Sequence, residues 1–99
     1  MISDILIKKF PNRVPVIFIP GETIEMKRTK FLIHSEYSIG QVMTKVKQNM
    51  DVKREEAIFI LANKTLVPNT ELIKSVWNEH KNPNDGILYL NLAKENTFG

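Results

Sequence analysis

The stretch from Ser38 to Met50 constrains this chain most, because it reads as a helix with a single apolar stripe that needs a flat partner. Ile39, Val42, Met43, Val46 and Met50 recur at three- and four-residue spacing and so share one face. Lys45, Lys47, Gln48 and Asn49 fall largely outside it. Ser38 and Gln41 stand at capping-box spacing, where each side chain satisfies an orphan N–H of the first turn.

The partner face is found in the flanking segments. Val14-Pro15-Val16-Ile17-Phe18-Ile19 is β-branched and aromatic, and Pro20-Gly21 closes it as a turn. Pro15 donates no ladder hydrogen bond, which predicts an edge or a strand start at that point. Lys30-Phe31-Leu32-Ile33-His34 reads as a second short strand. Ala57 to Ala62 is apolar throughout, as in a strand buried on both faces or nearly so. Asn63-Lys64 turns the chain into a short strand at Thr65-Leu66-Val67, and Pro68 ends it. Asn69 or Thr70 is the predicted cap of a second helix with Leu72, Ile73, Val76 and Trp77 on its apolar face. Asn82-Pro83-Asn84-Asp85-Gly86 signals a turn before a last strand, Ile87 to Leu92. Residues 1–9 suggest a short helix with Ser3 as cap, ended by Pro11, and residues 94–99 a polar, mobile tail. A helix crossing one face of a mixed sheet buries these stripes economically. The expectation is an α+β, β-grasp domain over residues 10–93.

Composition removes several classes of chemistry. With 99 residues the chain has room for one modest core. It lacks cysteine, so disulfides, a thiol nucleophile and cysteine-ligated zinc are absent. His34 and His80 are the only imidazoles, which argues against a histidine-rich metal site. No apolar run reaches the roughly 18 residues of a membrane span, and the N-terminus does not read as a signal peptide. A cytosolic location is expected. The net charge of +3 gathers around Lys27, Arg28 and Lys30, with Lys8, Lys9 and Arg13 near in sequence. Such clusters bind nucleic acid or anionic lipid in some proteins, but without a long basic stripe a solvated face is the plainer reading, and no nucleic-acid partner is expected.

No phosphate loop or nucleophile elbow is present. Glu55-Glu56 reads as a solvated loop, and His80 as a helix-end residue interacting with the dipole. Asn63-Lys64-Thr65 matches a glycosylation pattern but sits at a tight turn. No catalytic residue, metal ligand or cofactor site is assigned, and the chain is not read as an enzyme.

One set of motifs goes further. Phe10-Pro11-Asn12-Arg13-Val14-Pro15-Val16-Ile17, Lys30-Phe31-Leu32, Ile39-Gly40-Gln41, Ala57-Ile58-Phe59, Glu79-His80-Lys81 and Glu95-Asn96-Thr97-Phe98-Gly99 lie in order along about nine-tenths of the chain. Together they resemble the autophagy ubiquitin-like modifiers, the family of light chain 3 and the GABA-receptor-associated protein. The resemblance implies that Gly99 is adenylated, passed as a thioester through the cysteines of activating and conjugating enzymes, and ends as an amide on phosphatidylethanolamine. Thr97 and Phe98 would form the conjugation tail, and a cysteine protease would process or deconjugate it. A terminal glycine reduces steric obstruction in a narrow enzyme channel. The protein would then be cytoplasmic and, when lipidated, on the autophagosome or a related membrane.

The resemblance also implies recruitment of cargo receptors or adaptors through a short motif, an aromatic residue with an aliphatic one three positions on. The peptide would add a strand to the edge at Lys30 to His34. Pro15, Ile17, Lys30 and Leu32, with Ile87 and Leu6, would line the aromatic pocket. Phe31, Ile33, Tyr37, Val42 and Val46 would line the aliphatic one. Arg13, Lys27, Arg28 and Lys30 would attract flanking acidic residues. Departures from the family pattern are local. The chain starts inside what is usually a second N-terminal helix. Lys45 and Asn49 stand where an apolar residue and an arginine are usual, Val42 replaces a phenylalanine and His34 a proline. The second pocket is therefore expected to be shallower or differently charged. Attachment to protein lysines, or a non-conjugated β-grasp scaffold that binds peptides, are the competing readings.

Overall fold

The computed structural model describes residues 2–22, 24–50 and 57–94. Glu55-Glu56 and the tail residues Thr97, Phe98 and Gly99 lie outside the described residues. The elements run α1 (Ile2–Lys9), β1 (Arg13–Pro20), β2 (Lys30–His34), α2 (Ile39–Lys47), β3 (Ile58–Ala62), β4 (Thr65–Leu66), α3 (Ile73–His80) and β5 (Leu88–Lys94). The strands form a five-stranded sheet in the order β2-β1-β5-β3-β4. β1 and β5 pair in parallel at its centre, and the other pairs are antiparallel. This is the expected mixed β-grasp sheet.

Alternation on the strands builds the core. Val14, Val16 and Phe18 of β1 and Leu88, Leu90 and Leu92 of β5 face the same side and are buried. Ile39, Val42 and Val46 of α2, with Ile73 and Val76 of α3, complete one contiguous cluster with them. The capping box forms as predicted: Ser38 Oγ accepts from the Gln41 N–H at 3.2 Å and Gln41 Oε1 from the Ser38 N–H at 2.9 Å.

Several local expectations are corrected. The α2 helix ends at Lys47, and Met50 instead forms an isolated antiparallel bridge with Met26. β3 is covered fully on one face only: Ile60 and Ala62 are buried, while Ile58, Phe59 and Leu61 are half-buried. The N-cap of α3 is Leu72, without a side-chain cap, rather than Asn69 or Thr70. Its first-turn donors are satisfied through tertiary contacts, Ile73 N–H to the Tyr37 carbonyl at 2.8 Å and Lys74 N–H to that of Ser35 at 3.3 Å. The Lys74–Glu36 ion pair, 2.7 Å, ties the same two segments. The last strand begins at Leu88, so Ile87 belongs to the preceding loop. Pro15 lies inside β1, but the parallel ladder with β5 starts one residue later, at Val16–Leu88, so no β5 acceptor is left waiting for its missing N–H. His80 does end α3, yet its Nδ1 is 3.1 Å from the Asn63 amide nitrogen in the β3–β4 turn. Asn63 and Lys64 both have positive φ, 50° and 69°, as a two-residue hairpin turn between right-twisted strands requires.

Candidate functional site

The open edge of the sheet is β2, and its hydrogen-bond phase can be read from the register. β1 and β2 pair as Val14–Ile33, Pro15–Leu32, Val16–Phe31 and Ile17–Lys30. Just beyond the ladder, Phe18 N–H donates to the Thr29 carbonyl and Ser35 N–H to that of Asn12, both at 2.9 Å. Those bonds are in phase with the Val14–Ile33 and Val16–Phe31 pairs. Phe31 and Ile33 therefore point their backbone groups at β1, while Lys30, Leu32 and His34 turn theirs outward. The Leu32 carbonyl already accepts from Arg13 Nη1 at 3.1 Å, and its second lone pair remains for another donor. An edge of alternate outward donors and acceptors is a template for an added strand.

A cavity of about 530 Å³ lies beside that edge, lined by Leu6, Pro15, Ile17, Lys30, Leu32 and Ile87. These are the residues expected for the aromatic pocket. Val16, Arg28 and Phe31 contribute as well. Phe31 lies between the two predicted pockets and lines both. Its ring meets Phe18 edge-on, with centroids 5.4 Å apart at 81°, and the Arg28 guanidinium lies 4.4 Å above it. The wall is thus anchored in the core and topped by a cation.

A second cavity, about 340 Å³, includes the expected Phe31, Ile33, Tyr37, Val42 and Val46. Ile33, Val42 and Val46 are also core residues, the two valines 1% exposed, so they supply a floor with little free apolar surface. The rim is polar, with Arg13, Arg28, His34 and Lys45 among its residues. His34 stacks on Tyr37 with centroids 5.8 Å apart, and Lys45 Nζ lies 5.2 Å from the centre of the same tyrosine ring. Lys27 is exposed and lines neither pocket; its N–H donates to the Asn49 carbonyl at 2.9 Å. Sequence reasoning marks Lys45, Asn49 and His34 as departures, and nothing local says that α2 and the turn after it place Lys45 and Asn49 beside His34 on β2.

The loop before β5 holds Ile87 at the first pocket. Asn82 Oδ1 accepts from the Asn84 and Asp85 N–H groups at 2.7 and 3.3 Å, and Asp85 Oδ1 accepts from the Ile87 N–H at 2.8 Å. Tyr89 Oη donates to Asp85 Oδ2 at 2.6 Å, and Trp77 Nε1 to the Gly86 carbonyl at 2.8 Å. Gly86 has φ 72°, a left-handed conformation natural to glycine. The Tyr89 hydroxyl, and after it the Ile87 amide, lower the Asp85 pKa from its usual value. The same bond to Asp85, with burial, raises that of Tyr89.

A third cavity, about 410 Å³, sits between α2 and the β3–β4 hairpin, with Met43, Ile58, Leu66 and Pro68 in its lining, and nothing in the sequence pointed to it. Among the described residues no cluster of His, Asp or Glu could hold a metal ion, and no helix is long and apolar enough to cross a membrane.

Comparison with known proteins gives a consistent picture. The family model described as autophagy protein Atg8, ubiquitin-like, matches residues 2–99. Autophagy-related protein 8 of Kluyveromyces lactis is 35% identical over 100 residues, spanning 98% of this chain and 80% of that protein. Autophagy-related protein 8e of Arabidopsis thaliana is 37% identical over 95 residues, spanning 93% of this chain and 77% of that protein. Among solved structures, ATG8 of Trypanosoma brucei superposes with a TM-score of 0.87 at 26% identity, covering 94% of this chain and 82% of that one.

Proposed function

The chain belongs to the Atg8 family of autophagy ubiquitin-like proteins, and from that premise we propose that it is joined through Gly99 to phosphatidylethanolamine and recruits motif-bearing cargo receptors or adaptors to the autophagosomal membrane. The observation that carries the docking half is the phase of β2: the backbone of Lys30 and Leu32 faces outward between two cavities that share Phe31. A peptide strand added there pairs with outward groups that the β1 backbone does not use, so binding leaves the sheet intact. An aromatic side chain suits the first, largely apolar cavity, which is the larger of the two. Attachment rests on family membership and on the stretch Glu95-Asn96-Thr97-Phe98-Gly99, which lies within the residues that the family model matches. In this reading activating and conjugating enzymes supply the cysteines that the chain lacks, a cysteine protease reverses the attachment, and the unconjugated form is cytoplasmic.

One reconstitution tests both halves. Cognate activating and conjugating enzymes, ATP and phosphatidylethanolamine liposomes are mixed with the chain and a fluorescent motif peptide. Wild type should float with the liposomes and carry the peptide with it. Gly99→Ala should leave both in the soluble fraction, and Leu32→Pro should float but carry less of the peptide than wild type. Flotation of Gly99→Ala would overturn the attachment, and peptide carried equally by Leu32→Pro would overturn the docking edge.

A further inference from the structure

The two cavities beside β2 differ in chemistry. We propose that the second receives an acidic side chain, aspartate or glutamate, from the docked peptide, in place of the aliphatic residue expected of the family motif. The inference rests on the edge-docking reading and specifies the class of partner peptide that the edge selects.

The floor offers little to an aliphatic group. Val42 and Val46 are 1% exposed and Ile33 8%, so each is already spent on the core. The rim offers charge. The cations Arg13, Arg28 and Lys45 line the cavity together with the imidazole of His34, and among the described residues no aspartate or glutamate does. The nearby Glu36 is engaged by Lys74 at 2.7 Å. Two of the cations are held over the cavity walls by aromatic faces, Arg28 at 4.4 Å from the Phe31 centroid and Lys45 at 5.2 Å from that of Tyr37. Stacking leaves their N–H groups available for an acceptor in the cavity. His34 Nδ1 accepts from the Glu36 N–H at 3.2 Å, so Nε2 carries the ring hydrogen and is a further donor.

An aliphatic side chain seated here would strip water from these donors and return no acceptor, which costs free energy for each one left unpaired. A glutamate presents two oxygens to the rim donors, with its methylenes against the half-buried Leu32 and Tyr37. Charge-assisted bonds of this kind are shorter and stronger than neutral ones. The selected partner is thus an extended peptide with an aromatic anchor and a carboxylate where the aliphatic residue is expected.

Isothermal titration of the full chain with three peptides tests this. They are identical except at that position, which holds glutamate, glutamine or leucine. For wild type at low salt the glutamate peptide should bind about five- to tenfold tighter than the glutamine one, as for a partly exposed charge-assisted contact. The leucine peptide should be weaker than the glutamate one. Arg28 and Lys45 are exposed, so Arg28→Gln/Lys45→Gln should fold normally and bring the glutamate-to-glutamine ratio close to one. A ratio near one in wild type, a leucine peptide that binds tightest, or a ratio that survives in the double variant would each overturn the inference while edge docking stands. Binding by none of the three peptides would overturn edge docking itself, and this inference with it.

Discussion

Proline at position 32 separates docking from folding. Leu32 sits in an outward pair opposite Pro15, so its N–H points away from β1 and is not part of the ladder. Leu32→Pro therefore removes one edge donor without removing a β1–β2 hydrogen bond. It also removes a half-buried leucine side chain that lines both cavities, and Leu32→Ala provides the control for that loss. One intermolecular hydrogen bond contributes about 0.5–1.5 kcal/mol net, so Leu32→Pro should bind a motif peptide about two- to twelvefold more weakly than Leu32→Ala. Fluorescence anisotropy with a labelled peptide measures the ratio. Denaturant unfolding should place the two variants within about 1 kcal/mol of each other, as expected at an edge position. If Leu32→Pro bound as tightly as Leu32→Ala, the outward N–H would not be used. If it were less stable by about 2 kcal/mol or more, the N–H would belong to the ladder and would not face outward.

Phe18 is 1% exposed and braces Phe31, so Phe18→Ala should cost about 3–5 kcal/mol in denaturant unfolding. Ser38→Ala removes one of the two capping-box bonds and should cost about 1 kcal/mol, read as a lower thermal midpoint. The Asp85–Tyr89 bond raises the folded Tyr89 pKa above its ordinary 10.0, so its contribution to stability is complete below pH 10 and is lost as pH rises through the folded value. The lowered Asp85 pKa acts at the other end: its contribution is present above the ordinary 3.8 and is lost as pH falls through the folded value. A tyrosinate absorbance titration in a Tyr37→Phe background should show Tyr89 ionising at lower pH once Asp85→Asn is introduced, and no change would discount the bond.

Local signals made much of the fold legible. The capping box at Ser38 and Gln41 and the stripe behind it lie within one short stretch, so α2 could be placed before any tertiary contact was known. The start of α3 could not, because its donors are satisfied by the carbonyls of Ser35 and Tyr37, far back in the chain. The placement of Pro15 became intelligible only with the parallel β1–β5 register, which no local pattern encodes. At the site the contrast is similar. Pro15, Ile17, Lys30, Leu32, Ile87 and Leu6 were anticipated by resemblance and line one cavity. For the other, the sequence assigned Arg13 and Arg28 an electrostatic role and marked Lys45 and His34 as departures, but their meeting on one rim follows only from the packing of α2 beside β2. Charges from separate elements converge through packing, which sequence spacing does not report.

Intact mass spectrometry of the membrane-bound form, followed by fragmentation of its C-terminal peptide, examines the proposed attachment directly. The predicted adduct is phosphatidylethanolamine in amide linkage to Gly99. A Gly99–lysine isopeptide, or a membrane fraction with an unmodified Gly99, would contradict it.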